Sequence, residues 1–252
     1  MPNARDIEIS KLKILVWGRP KSGKTFFFRT FPKPAKAYMF DPNGILSLRG
    51  EDIDFEEYLG PKGYRQFRID LEKDMKEGKY VSIMIDSLST LQQCMMKSVQ
   101  EENMKATENY QLQEYMIYFS RLRSLLIDLI NYPVHLLFTA HDQMVENTVT
   151  GDVFILPSIY GKDMPNEFPM FFDEVYHTEV TPRRKEPSEY FLRTQPTNLL
   201  ACGGRISKSG ELENLEVPDF GAILEKVTRK KEDVKDGGAN NKDPGNETKG
   251  NV

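Results

Sequence analysis

The stretch "WGRPKSGKTFFF", Trp17–Phe28, places Gly18, Gly23, Lys24 and Thr25 at the spacing G-x-x-x-x-G-K-S/T. The residues before it, "LKILVWG" from Leu12, form a short apolar run of strand type, and "KTFFFRTF" after it can start a helix. Strand, loop and helix are the context that turns this spacing into a phosphate-binding loop. Its glycines let the backbone curl so that successive N–H groups point inward, and the positive end of the following helix adds to the attraction for phosphate. Gly18, Arg19, Pro20, Lys21, Ser22, Gly23, Lys24 and Thr25 are therefore the nucleotide-contact candidates. Lys24 is expected to reach the β- and γ-phosphates of ATP, and the Thr25 hydroxyl to hold Mg²⁺.

Outside the loop, the 252 residues suffice for one sizeable core. The expected organisation is an N-terminal arm over 1–11, a core over 12–228 and a disordered polar tail over 229–252. The tail, "RKKEDVKDGGANNKDPGNETKGNV", holds two valines and almost nothing else apolar, too little to offset the entropy of ordering. A net charge of −4 gives no global basic field for nucleic acid, so any such binding must come from local patches. Cys94 and Cys202 offer neither a disulfide framework nor metal-ligand spacing, which suits a reducing cytoplasm. No apolar run approaches the roughly 18 residues of a membrane span, and no signal-peptide core is visible at the N-terminus. The expectation is a soluble, cytoplasmic protein with no membrane association.

Strand-like runs recur at Ala37–Phe40, Tyr80–Ile85 and Val134–Thr139, separated by segments of helical pattern. This alternation predicts an α/β fold, with a mostly parallel central sheet and helices on both faces. The clearest helix is Tyr110–Ile130, where Leu112, Tyr115, Met116, Phe119, Leu122, Leu126 and Leu129 recur at steps of three and four and are assigned to the core. After His141 a long segment with turn residues at Thr150–Gly151–Asp152 and several prolines reads as functional or mobile. Runs at Glu174–Val180, Tyr190–Arg193 and Leu199–Cys202 lie close enough together for a C-terminal antiparallel extension. Asp219 can cap a last helix through Val227.

A phosphate loop of this kind needs an acidic residue at the end of a neighbouring strand to hold the Mg²⁺ shell. Asp86, where "YVSIMID" stops, is that candidate, although an aspartate there could also cap the helix that follows, a role open to Ser87 too. Lys24 and Asp86 stand 62 positions apart, Asp86 is followed by Ser87 rather than glutamate, and a further strand ends in "TAHDQ", Thr139–Gln143. With these residues the chain, from Leu12 to Val227, resembles the RecA-type ATPases, and most of all the small phage-encoded RecA-core proteins linked to single-strand annealing and recombination.

The resemblance implies a RecA-like core that hydrolyses ATP with Mg²⁺, slowly or on stimulation by DNA, and assembles into a homo-oligomer on single-stranded DNA. A single-strand-binding protein would be a further partner, and the host cytoplasm the location of a phage-encoded chain. Such proteins orient the attacking water with a glutamate just after the second strand. Here "YMFDPNG" ends that strand in Asp41 and puts Asn43 near the glutamate position, and an amide cannot accept a proton at neutral pH. Either Asp41 takes the role or hydrolysis is slow, and Asp-Pro-Asn-Gly is also ordinary turn chemistry. His141 matches the γ-phosphate sensor at the end of a later strand, and Arg205 approximates the basic residue supplied across a subunit interface. The resemblance assigns the segment after His141 to DNA. It holds Lys162 together with Phe154, Tyr160 and Phe168, while Arg183, Arg184 and Lys185 form a basic cluster that is either a DNA contact or a solvated turn. Two other functions remain open: a small-molecule or nucleotide kinase, and an ATP-dependent binding module with little turnover.

Overall fold

The computed structural model describes residues 3, 9–102, 110–146, 151–206 and 210–228. In chain order its elements are β1 (Lys13–Trp17), α1 (Lys24–Phe27), β2 (Ala35–Met39), β3 (Asp54–Glu57), α2 (Pro61–Glu77), β4 (Ser82–Asp86), α3 (Leu88–Glu102), α4 (Leu112–Asn131) and β5 (His135–Ala140). These are followed by β6 (Asp142–Glu146), β7 (Val153–Pro157), α5 (Met164–Glu167), β8 (Glu174–Thr181), β9 (Glu189–Arg193), β10 (Gly203–Gly204), β11 (Leu215–Glu216) and α6 (Phe220–Thr228).

The main sheet runs β11-β9-β8-β1-β5-β4-β2-β3, with β10 paired to β8. Its strands from β3 to β8 are parallel, while β9, β10 and β11 add antiparallel pairs beyond them. The expected mixed α/β architecture of RecA type, with its antiparallel C-terminal extension, is therefore the one observed. β1 lies inside the sheet and is buried along its whole length, so its side chains alternate between two apolar layers. Leu15 and Trp17 pack with α2, α3 and α4, whereas Ile14 and Val16 pack with Phe27 of α1 and with Phe220, Ile223 and Val227 of α6. β3, with all four residues exposed, closes one edge behind an acidic surface. The Asp219 carboxylate accepts the Ala222 N–H at 2.9 Å and caps α6 as expected.

The helix expected after the loop starts at Lys24 as a single turn followed by a 3-10 turn, because Pro32 biases Phe31 out of helical geometry; Phe31 is extended, with ψ 151°. Three other expectations need correction. On α4, Leu112 is 78% and Met116 65% exposed. The seven residues assigned to one stripe spread over roughly 140° of the helix at about 100° per residue: Leu122, Leu126 and Leu129 lie in the core beside Tyr118 and Leu125, Tyr115 and Phe119 pack half-buried against it, and Leu112 and Met116 fall at the far edge. Leu199–Cys202 forms no strand; Leu200 makes one isolated bridge to Ile155. In the segment after His141, read as functional or mobile, β6 and β7 pair in an antiparallel hairpin, and Ile159, Met164 and Phe168 anchor the return in the core. A buried Phe168 cannot stack on a base. The predicted tail and most of the predicted arm lie outside the described residues.

Candidate nucleotide site

The loop leaves the C-terminal end of β1, and two of its glycines are required by what stands next to them. Gly18 has φ +150°, its N–H donates to the Ala140 carbonyl at 3.2 Å, and a Cβ there would lie 2.1 Å from Thr178 Oγ1 on β8. Gly23 has φ +91°, and a Cβ would press on the Tyr190 ring at 3.1 Å. The Ser22 hydroxyl lies 2.5 Å from Thr178 Oγ1, which ties the loop to the neighbouring strand.

Lys24 Nζ donates to the carbonyls of Gly18 at 2.8 Å and Arg19 at 2.7 Å. Its burial lowers its pKa, against the charges of Asp86, Asp41 and Asp142. Thr25 Oγ1 donates to Asp86 Oδ2 at 2.7 Å, and Thr139 donates to Oδ1 of the same carboxylate. Asp86 is 2% exposed. Burial pushes its carboxyl up, the Asp41 charge pushes the same way, and the two threonine donors and Lys24 oppose them. A desolvated carboxylate beside the Thr25 hydroxyl, at the mouth of a cleft, fits a hard cation that takes one protein carboxylate and fills its remaining positions with water and phosphate. Asp86 is not the cap of α3: the Leu91 N–H bonds to the Ser87 carbonyl at 2.9 Å, and both Asp86 oxygens are directed to threonines.

Asp41 completes the polar floor. Its Oδ1 accepts from Ser87 at 2.9 Å and from Thr90, and its Oδ2 lies 3.3 Å from His141 Nε2. Burial raises the Asp41 pKa, but hydrogen bonds from His141, Thr90 and Ser87 outweigh it and hold the group below the usual carboxylate range. Gly44 N–H donates back to the Asp41 carbonyl at 3.2 Å, with Asn43 at φ 61°. Pro42 fixes a negative φ, so this is a type II turn, and Asn43 supplies the positive φ it needs. The turn reading and the site reading of Asp41-Pro-Asn-Gly are thus compatible: the backbone turns while the Asp41 carboxylate faces the cleft.

The cleft, about 950 Å³, is bounded by the loop, Asp41, Asp86 and His141 on its polar side, and by Phe26, Arg29, Tyr190 and Pro218 on its wider side. A family model described as an AAA domain matches residues 10–206, which contain all the polar groups of this cleft. The chain belongs to this AAA-domain family. The family is one of RecA-like P-loop ATPases, which in general bind a nucleotide with Mg²⁺ and hydrolyse it. No curated protein matches the chain. Among solved structures, the flagellar accessory protein FlaH from Methanocaldococcus jannaschii is similar at 11% identity and a TM-score of 0.39, over 72% of this chain and 76% of that one.

Other candidates fall outside the AAA-domain cleft. Arg205 sits at the opposite end of the sheet from the loop. Its N–H donates to Asp173 O at 2.8 Å and its guanidinium to Met170 O, beside Glu174, which pairs with Ile14 at the start of β1. It takes no part in its own chain's site. Arg183 is engaged by Glu186 at 2.7 Å and by Glu189 within the β8–β9 turn, while Arg184, Lys185 and Lys162 are exposed. The sequence reading missed Thr178 and Tyr190, which no motif marks. They reach the loop only because β8 pairs with β1 and β9 with β8. Among the described residues, no helix is long and apolar enough to cross a membrane.

Proposed function

We propose that the protein is a Mg·ATP-hydrolysing ATPase that assembles with copies of itself and acts on single-stranded DNA in phage-type recombination or annealing. The observation that carries the reading is the position of His141. Its ring meets Asp41 on the floor of the nucleotide cleft, and its backbone begins the β6–β7 hairpin, the segment the resemblance assigns to DNA. Lys24 exchanges its contacts with the Gly18 and Arg19 carbonyls for phosphate oxygens, joined by the inward N–H groups of the loop. Asp86 and Thr25 would hold Mg²⁺, which when bound neutralises phosphate charge and polarises the reacting phosphoryl group. Asp41, held ionised, orients a water through Oδ2 but is a weak final acceptor for its proton. His141 donates to Asp41 or to a γ-phosphate oxygen, so the state of the nucleotide is read at the residue that precedes the hairpin.

The saturated Asp41 carboxylate favours slow turnover, and it gives one specific support to the alternative of a nucleotide-dependent binding module. Phosphate release measured with and without single-stranded DNA tests the proposal. DNA-stimulated release is the expected result. Tight binding without turnover in either condition supports the module, and transfer of phosphate to a small acceptor supports a kinase. Arg205 from a neighbouring copy, the cations Lys162, Arg183, Arg184 and Lys185, and a single-strand-binding protein remain parts of this proposal.

A further inference from the structure

We propose that Gln92, on α3, is a positioning residue for His141. This deepens the reading of the cleft given above and rests on it. Gln92 is 2% exposed and its amide is engaged at both ends. Oε1 accepts from the Tyr118 hydroxyl at 3.0 Å and from the Tyr160 N–H at 2.8 Å, while Nε2 donates to the Ser158 carbonyl at 3.1 Å. The amide has one workable orientation, because turning it over would set its N–H groups against the Tyr160 N–H.

Ser158 is the other half of the device. Its N–H donates to the His141 carbonyl at 2.7 Å, and the His141 N–H donates to Ser89 Oγ at 3.0 Å. Ser89 Oγ in turn donates to the Ser158 carbonyl at 3.1 Å. His141 precedes β6 and Ser158 follows β7, so this ring of bonds pins both feet of the hairpin to α3. Ser87, just before α3, and the first turns of the helix therefore carry two polar pairs at a spacing of three. Ser87 and Thr90 hold Asp41, and Ser89 and Gln92 hold the backbone of His141. One rigid element sets both partners of the Asp41–His141 contact. With Nε2 directed to Asp41, His141 Nδ1 is buried and has no partner among the described residues, so nothing on that side of the ring fixes it. The orientation of the imidazole depends on its backbone, and the backbone depends on Ser89 and Gln92.

The test compares Gln92→Met and Ser89→Ala with the unmutated protein after circular dichroism has shown which variants fold. Imidazole nitrogen NMR shifts, assigned with His141→Gln, report which ring nitrogen carries the proton and what it bonds. We expect both variants to move the His141 signals in the absence of nucleotide. Affinity for a slowly hydrolysed ATP analogue should stay within about three-fold, while kcat falls about ten-fold at nearly constant KM. Unchanged His141 signals in a folded variant overturn the proposal, as does a loss of nucleotide affinity parallel to the loss of kcat. Should Gln92→Met fail to fold, Gln92→Glu decides, since it keeps the acceptors for Tyr118 and Tyr160 and removes the donor to the Ser158 carbonyl. If the unmutated protein binds no nucleotide, the reading of the cleft fails, and the imidazole signals still decide whether Gln92 and Ser89 position His141.

Discussion

Replacing Gly18 by alanine should disable the loop, and the damage should depend on Thr178. The added Cβ would stand 2.1 Å from Thr178 Oγ1 and 3.3 Å from its Cβ, against an ordinary contact distance of roughly 3.5–4.0 Å. β1 and β8 cannot separate to relieve this, because Trp17 and His177 are paired in the ladder. Thr178 must rotate instead, which gives up its hydroxyl contacts with Ser22 and with the Trp17 carbonyl. Losing a buried hydroxyl's partners costs about 1–3 kcal/mol, and an alanine at φ +150° adds about 1–3 kcal/mol of strain. Gly18→Ala should therefore cost about 2–6 kcal/mol in urea unfolding. Thr178→Ala alone should cost about 1–2 kcal/mol through the lost Ser22 contact. In the double variant the Oγ1 clash is gone and the hydroxyl loss is counted once, so the two changes should fall short of additivity by about 1–2 kcal/mol. Urea denaturation of all four proteins measures the cycle. Additivity within about 0.5 kcal/mol would refute the steric reasoning.

Tyr190→Ala should weaken ATP binding by about five- to 150-fold through lost base stacking, worth about 1–3 kcal/mol. Inorganic tripolyphosphate should bind as before, and equal losses for both ligands in competitive titrations would place the ring against the phosphates instead. His135 is 4% exposed and accepts the Leu12 N–H at 3.2 Å through Nδ1. Burial lowers its pKa to about 4 from the ordinary 6.5, with Lys11 and Lys13 adding to the shift. Below pH about 6.5 the unfolded chain takes up a proton that the folded chain refuses until about 4, so stability falls as pH drops through this window, by about 3 kcal/mol in all. The pH dependence of Tm over that range should flatten in His135→Gln, and an unchanged slope would count against the assignment.

The phosphate loop was legible because its glycines and Lys24 act through neighbours close in sequence, and Asp86 because an apolar strand stops at it. The parallel sheet followed from the alternation of apolar runs with helical pattern. Tyr190 and Thr178 were not legible: their roles come from pairing across β1, β8 and β9, a relation no local pattern carries. The end of the sheet that Arg205 occupies was not legible either, since its rank near the last strands of the core carries no such information. The β6–β7 hairpin is not visible in the segment read as functional or mobile, because its core anchors, Ile159, Met164 and Phe168, are scattered among prolines and charges. Met116 and Leu112 look like core by spacing, but they lie at the edge of the roughly 140° arc farthest from Tyr118 and Leu125 and are exposed.

The most direct measurement is the affinity of the protein for single-stranded DNA by fluorescence anisotropy at fixed salt, with and without a slowly hydrolysed ATP analogue. If the cleft serves DNA through His141 and the hairpin, nucleotide should tighten DNA binding by about five- to 150-fold, and DNA should tighten nucleotide by the same factor. Equal DNA affinity in both nucleotide states would contradict the account.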